Sequence, residues 1–278
     1  MKNNDSRNIT CINDTLSFIE KNYDQVISIE QLEEVSHYSY RNIQRIFRYS
    51  CGETIGNYQK RLKLENAYKM MLYTNCKISV IALKVGFANS ASFSKAFKLH
   101  FGITPFEAKR TKIPLFEKGA IVPNLSTVDL NPTIIYVPLT KVYFKGGFMS
   151  YEFDKIELLW DEFLSYDFPL KDNEYYGIIA DEPLIRENLK CRYDTCSTLQ
   201  SSSIKMPSKT IGGGKYAQFI HYGSYEKIEE TYVEIYSQWI LNTKLEFGCT
   251  PIIEKYIKHP DNSNNTYEQE TYIWLPLI

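Results

Sequence analysis

The chain has 278 residues, 44% of them apolar, and a formal net charge of −1. That length suggests about two domains, and the apolar content excludes a largely disordered chain. No stretch approaches the roughly 18 uninterrupted apolar residues of a transmembrane helix, and the start, MKNNDSRNIT, lacks the apolar run of a secretory signal. A cytoplasmic protein without membrane contact is expected.

The six cysteines (Cys11, Cys51, Cys76, Cys191, Cys196 and Cys249) are too few and too scattered for a disulfide scaffold. Free thiols are the plain reading, with a thiol switch or soft-metal site at Cys191 and Cys196 as the alternative. With no CxxC and no HxxxH, no metal or cofactor is expected. The charge is unevenly spread. Residues 1–112 carry 17 Lys and Arg against 10 Asp and Glu, a net of +7. Residues 113–278 carry 15 against 23, a net of −8. A basic first half suggests a polyanionic partner there and none for the second half.

Residues 14–112 read as about seven short helices, with apolar residues at helical spacing. Leu16, Ile19 and Tyr23 make one face. Ile43, Ile46 and Phe47 make a second, and Tyr58, Leu62, Ala67, Met70 and Met71 a third. Ser28, Ser39, Thr54 and Ser79 stand where helices should start. An internal repeat is offset by 50 residues: Val35 matches Val85, Ile43 matches Phe93, Phe47 matches Phe97 and Gly52 matches Gly102. The basic residues repeat too, Arg45 with Lys95 and Arg48 with Lys98.

Each copy reads as helix, tight turn, helix. The second helix shows Arg41, Gln44, Arg45 and Arg48 in one copy, and Ser90, Ser92, Lys95 and Lys98 in the other. Arg takes guanine bidentately, Gln takes adenine, and Lys and Ser hold phosphates or bases. Helix-turn-helix units deliver such a helix to the major groove. Double-stranded DNA is therefore the expected partner.

The signature Ala82-x3-Gly86-Phe87, Ser90-x2-Phe93-x-Lys95-x-Phe97-Lys98, Phe101-Gly102-x-Thr104-Pro105 resembles the DNA-binding domain of the AraC/XylS family of transcription regulators. The first copy shows Ser28-x3-Leu32, Ser39, Ile43-x-Arg45-x-Phe47-Arg48 and Gly52. The resemblance implies a long helix, about 57–73, joining two units that enter successive major grooves. It places Arg41, Gln44 and Arg45 at bases in one groove, Ser90, Ala91, Ser92 and Lys95 at the other, and Arg48 and Lys98 at phosphates. Glu33 and His37 depart from the small residue and Gly usual in the first turn, and Ala108-Lys109 replaces a usual Tyr-Arg.

Residues 113–130 read as a linker. From 131 the period changes to two, with strands at TIIYVPL, KVYFKGGF, YYGIIAD, RYDTCSTL, KYAQFIHYG, PIIEKYIK and ETYIWLPL. Residues 153–166 and 224–243 read as amphipathic helices. The result is strand–helix–strand–strand twice. A single antiparallel sheet backed by two helices is expected, with its other face left free.

Three segments carry a second resemblance, to the GyrI-like effector-binding domain found in multidrug-sensing regulators and in AraC regulators of the right-origin-binding type. They are Tyr176-Gly177-x3-Asp181-x-Pro183, Arg192-Tyr193-Asp194-x-Cys196 and Gly214-x-Tyr216-Ala217-x-Phe219-x-His221-x-Gly223-x-Tyr225. The resemblance implies an aromatic cleft around one acidic residue of the last strand, suited to a lipophilic or cationic ligand. Tyr272 stands at the usual place of that acid, so either Glu270, two residues earlier on the same strand face, substitutes for it or the site lacks its carboxylate; Glu270 is the candidate. Tyr272, Trp274, Tyr143 and Tyr193 are the candidate lining.

The expected fold is thus an all-α tandem helix-turn-helix domain (1–112), a linker (113–130) and an α+β GyrI-like domain (131–278). The expected function is a sequence-specific transcription regulator with a small-molecule effector. It would act as a monomer near RNA polymerase and the nucleoid. The alternatives for the second domain are a module that binds RNA polymerase or a topoisomerase, and a hydrolase of reactive toxins. No Ser-His-Asp, Cys-His or metal constellation supports catalysis, so an enzyme is not expected.

Overall fold

Apolar residues three and four apart, closed at each end by a polar cap, build the first half of this chain. The structure is a computed structural model that describes residues 2–111, 131–149, 153–169, 172–181, 191–240, 243–248, 250–257 and 270–278. The expected linker, 113–130, lies outside the described residues. Packing divides the chain into two units, Met1–Lys112 and Ile113–Ile278.

The first unit holds α1 (Lys2–Lys21), α2 (Ile29–Ser36), α3 (Tyr40–Cys51), α4 (Ile55–Tyr73), α5 (Ile78–Lys84), α6 (Ser90–Phe101) and α7 (Pro105–Thr111). Its core contains Leu16, Ile19, Ile43, Phe47, Tyr58 and Met71 in one half and Ile81, Ala82, Val85, Phe93 and Phe97 in the other. Ser28 starts α2 with a reciprocal capping box to Gln31, and Thr54 starts α4 by accepting from the Asn57 N–H. Ser39 starts α3 without a side-chain cap. Glu33 from the preceding helix accepts the Tyr40 N–H at 2.6 Å instead. His37 takes the left-handed conformation that turns the chain between α2 and α3. The departures at Glu33 and His37 thus leave a regular turn.

Ser79 does not start α5. The helix begins at Ile78 behind Lys77, which leaves Ser79 inside the first turn. The Ala82-x3-Gly86-Phe87 pattern is a helix stop in which the Phe87 N–H reaches back to the Ala82 carbonyl at 2.9 Å. Thr104 and Glu107 form the same reciprocal box before α7, with Pro105 at the first helical position.

The connecting helix α4 ties the two copies together. Its Gln59 amide donates to the Tyr23 and Gln25 carbonyls at 3.0 and 2.7 Å, and its Lys63 ammonium donates to the Gly86 carbonyl at 3.0 Å.

Among the described residues, the second unit forms one antiparallel sheet of eight strands: β1 (Thr133–Val137), β2 (Thr140–Met149), β3 (Tyr175–Ile179), β4 (Cys191–Ser197), β5 (Ser208–Ile211), β6 (Gly214–Tyr222), β7 (Ile252–Tyr256) and β8 (Glu270–Pro276). The order is β1-β6-β8-β7-β3-β4-β2-β5. The two repeats, β2-β4-β3 and β6-β8-β7, meet along β3 and β7. The short β5 was not expected from the sequence, and it changes the topology. Each repeat receives its outer strand from the other: β1 pairs with β6, and β5 pairs with β2.

That exchange forces the sheet to curl. Val137 and Thr140 are three residues apart, a reach of about 11 Å at most. Their strands are six places apart in the sheet, which would be roughly 29 Å if flat. The Gly213 N–H donates to the Val137 carbonyl at 2.9 Å and closes this corner. The face expected to be free is therefore an interior. Val137, Val142, Phe144, Tyr176, Ile178, Cys196, Ile211, Tyr216, Ile253 and Trp274 form one buried cluster on it.

The opposite face carries the helices. α8 (Phe153–Leu164) buries Ile156, Leu159 and Phe163. The expected helix 224–243 is a 3-10 turn (Tyr225–Lys227), then α9 (Ile228–Glu234), then a π turn (Ile235–Trp239). Residues 241–242 lie outside the described residues. The wider π turn shifts the helix register, and Ile235, Tyr236 and Ile240 remain buried.

Gly86 shows how tightly the first unit is closed. Its φ is +79°, and a Cβ there would stand 1.7 Å from the Asp24 carbonyl oxygen. Gly102 has a φ of +75° with nothing within 4 Å. Gly102→Ala should cost about 1 kcal/mol, the left-handed penalty alone, and Gly86→Ala about 3 kcal/mol or more. Urea unfolding followed by the helical signal measures both.

Candidate functional site

The amphipathic pattern of α3 and α6 decides which side chains they offer to solvent. On α3, Ile43 and Phe47 are buried, while Arg41, Gln44, Arg45 and Arg48 are exposed. On α6, Phe93 and Phe97 are buried, while Ala91, Ser92, Lys95 and Lys98 are exposed and Ser90 is half-buried. The two helices are the same length and occupy matched places in the repeat. Arg45 donates to the Asn42 amide oxygen at 3.0 Å. The Ser92 hydroxyl donates to the Asn89 carbonyl at 3.0 Å, and its N–H is capped by the Asn89 side chain. Ser92 is thus partly committed to starting α6.

A second constellation lies on the helix face of the sheet. β7 places Glu254 between Gly177 of β3 and Ile273 of β8. Glu254 is fully buried. One carboxylate oxygen accepts from Tyr225 at 2.8 Å, Tyr256 at 2.7 Å and Tyr193 at 3.2 Å. The other accepts from Tyr232 at 2.8 Å. The Trp160 indole N–H donates to the Tyr193 oxygen at 3.2 Å, and its ring meets the Tyr256 ring edge-on at 5.1 Å. The rings of Trp160, Tyr225, Tyr232 and Tyr256 are only half-buried, so the cluster reaches the surface.

The sequence makes room for it. A Cβ on Gly177 would stand 2.1 Å from the Tyr193 oxygen and 2.9 Å from the Glu254 carboxylate. His221 holds the roof, with its ring nitrogens 2.8 Å from the Thr231 hydroxyl and 3.0 Å from the Ser224 carbonyl. These contacts set the segments that carry Tyr225 and Tyr232. Asp181 accepts the Arg192 N–H at 2.7 Å and fixes the start of β4, which delivers Tyr193.

The expected ligand residues divide between the two faces. Tyr193 is in the Glu254 cluster. Tyr143 shares its face but lies four positions along β2 from Gly147, the partner of Tyr193, beneath the Lys141 ammonium. Glu270, Tyr272 and Trp274 occupy the inner face. Trp274 donates there to the Gln218 amide oxygen at 2.9 Å, and Tyr272 packs against the interior cluster. Sequence reasoning missed Glu254, Tyr225, Tyr232, Tyr256 and Trp160. The signal was present in PIIEKYIK, a strand in which period two puts Glu254 and Tyr256 on one face. Among the described residues, no group of three or more His, Cys, Asp or Glu is placed to hold a metal ion.

A basic tandem of matched helix-turn-helix units, followed by a domain built around an aromatic acidic cluster, defines a DNA-binding transcription regulator with an appended small-molecule-binding domain. The comparisons with known proteins agree. Residues 130–278 match the GyrI-like small molecule binding domain, and residues 32–111 match a helix-turn-helix domain. The transcriptional activator AarP of Providencia stuartii is 35% identical over 94 residues, covering 34% of this chain and 70% of that protein. The probable transcription factor PqrA of Proteus vulgaris is 35% identical over 96 residues, covering 34% and 79%. The multiple antibiotic resistance protein MarA of Escherichia coli is 28% identical over 102 residues, covering 37% and 80%. The chain belongs to the AraC/XylS family of regulators and carries a C-terminal domain of the GyrI-like family. No helix among the described residues is long and apolar enough to cross a membrane.

The buried phenols make the cluster sensitive to alkali. Burial, and then the charge of Glu254, hold the Tyr193, Tyr225, Tyr232 and Tyr256 hydroxyls well above the ordinary tyrosine range. The unfolded chain releases these protons near pH 10 and the folded chain does not. Stability should be unaffected by them below about pH 10 and should fall above it, by up to about 1.4 kcal/mol per pH unit for each phenol. Urea midpoints from pH 8 to 11 test this; a midpoint that is flat through pH 11 would contradict the cluster.

Proposed function

We propose that this protein reads DNA through α3 and α6 and senses an organic cation through Glu254. Arg41, Gln44 and Arg45 meet bases in one major groove. Ser90, Ala91, Ser92 and Lys95 lie at the next, and Arg48 and Lys98 hold phosphates. The connecting helix supports this reading: 19 residues of α4 span about 28 Å, close to the roughly 34 Å between successive major grooves. With half-site spacing built into one chain, a monomer suffices. The division is a DNA-binding domain at 1–112, a linker at 113–130 and an effector domain at 131–278. The protein works in the cytoplasm at promoters, in the company of RNA polymerase.

The observation that carries the effector reading is the environment of Glu254. An ionised carboxylate is costly to bury without a partner cation. Here it has four neutral donors, and among the described residues it has no ion pair. The half-buried rings of Trp160, Tyr225 and Tyr256 add negative π faces beside it. A flat or branched aromatic cation satisfies both features, and a neutral analogue satisfies only the rings.

Two experiments test these assignments. Arg45→Ala should weaken binding to a selected site by about 1–3 kcal/mol with the fold intact, and Lys98→Ala should lower the salt slope by about one. Unchanged affinity in both variants would remove α3 and α6 from the interface. Separately, benzyltrimethylammonium at 100 times its dissociation constant should add about 2.7 kcal/mol to the stability of the full chain. Its neutral carbon isostere should add far less, and Glu254→Gln should erase the difference. Equal stabilisation by both compounds would overturn the cation reading.

A further inference from the structure

Two large apolar side chains stand in water on the helices that carry the basic faces. Tyr49 of α3 is 92% exposed and Leu99 of α6 is 81% exposed. They occupy the same place in the two copies, 50 positions apart. Each sits one helical turn beyond a basic residue, Arg45 or Lys95, and immediately after another, Arg48 or Lys98. At 100° per residue, Leu99 falls on the side of α6 away from the buried Phe93 and Phe97, and Tyr49 lies away from the buried Ile43 and Phe47 and about 60° from the buried Ile46. A single exposed hydrophobe is ordinary on a protein surface. A large apolar side chain at the matched place in both basic faces fits a partner that is anionic and offers an apolar group beside its charges.

We propose that Tyr49 and Leu99 touch thymine methyl groups, so that each copy reads an A·T pair beyond the base met by Arg45 or Lys95. The inference rests on the DNA-binding reading above and names a specificity that the basic residues do not supply. Charge complementarity selects the occupant: Arg45 and Arg48 lie one turn and one residue before Tyr49, and Lys95 and Lys98 lie likewise before Leu99, all in the basic half of the chain. The thymine C5 methyl is the apolar group that bases display in the major groove. Four residues of helix advance about 6 Å, nearly two base-pair steps of about 3.4 Å. The thymine therefore lies about two base pairs from the contact of Arg45 in one half-site and of Lys95 in the other.

The test uses the full chain and sites selected from random duplexes. In each selected site, thymines are replaced one at a time by deoxyuridine, which removes the methyl and leaves every hydrogen-bonding edge. One thymine per half-site should then cost about fourfold in affinity, the effect of one methyl-sized apolar group returning to water. Tyr49→Ala should abolish the methyl effect in its own half-site and keep it in the other, and Leu99→Ala should do the converse. Both side chains are exposed, so circular dichroism and the urea midpoint should match the parent. Wild-type affinity indifferent to deoxyuridine would overturn the proposal. So would variants that lose the same factor of affinity at thymine and deoxyuridine sites and so keep the wild-type methyl ratio, because the side chains would then touch sugar or phosphate. Failure to select any site would instead overturn the DNA-binding reading beneath it.

Discussion

A carboxylate without a cation beside it is expensive to bury, and the second unit is organised around one. Glu254 has four phenolic hydroxyls within hydrogen-bonding distance, drawn from β4, β7, the 3-10 turn and α9. Each donor is placed by a different part of the chain. β4 delivers Tyr193 behind the Asp181 contact. His221 pins the turn and helix that bring Tyr225 and Tyr232. Gly177 leaves the volume that the hydroxyls fill. Removing the acid would leave several buried hydroxyls short of an acceptor, each at about 1–3 kcal/mol. The carboxylate therefore ties the two repeats together, because its donors come from both.

Both halves of the chain are duplications, and each uses its duplication differently. In the first unit the copies stay separate. α2–α3 and α5–α6 present similar basic faces, and α4 fixes their separation through Gln59 and Lys63. In the second unit the copies merge into one sheet. Glu254 of one repeat takes the Tyr193 hydroxyl of the other, so the cluster belongs to neither alone.

The first unit was legible because its information is local. Helix periods, caps and turn glycines lie within a few residues of what they control, so the seven helices and the matched faces could be read directly. The exception is small: Lys77 precedes α5 where Ser79 was expected. The second unit was legible as elements and not as a topology. Strands and helices appeared by period, but pairing joins Thr133 to Gln218 and Thr140 to Ile211, and no local pattern encodes that. The curl, the buried inner face and the short β5 all follow from these distant pairings. The family resemblance points to an acid in the last strand, on the inner face. The sequence of β7 offered Glu254 among Ile252, Ile253 and Tyr256, but only the fold brings Tyr193, Tyr225 and Tyr232 to it.

The exchanged outer strands have a consequence for how the chain folds. β1 is completed by β6, and β5 by β2, so neither repeat owns all the strands it needs. The first repeat must wait until β5 and β6 have been made. Such distant pairing slows folding, whereas the local contacts of a helical unit form quickly. During synthesis the helical half is complete and can fold while the sheet still lacks partners, and domains made first generally fold first. A truncation anywhere in the second repeat should therefore remove the whole effector domain and leave a folded helical half behind.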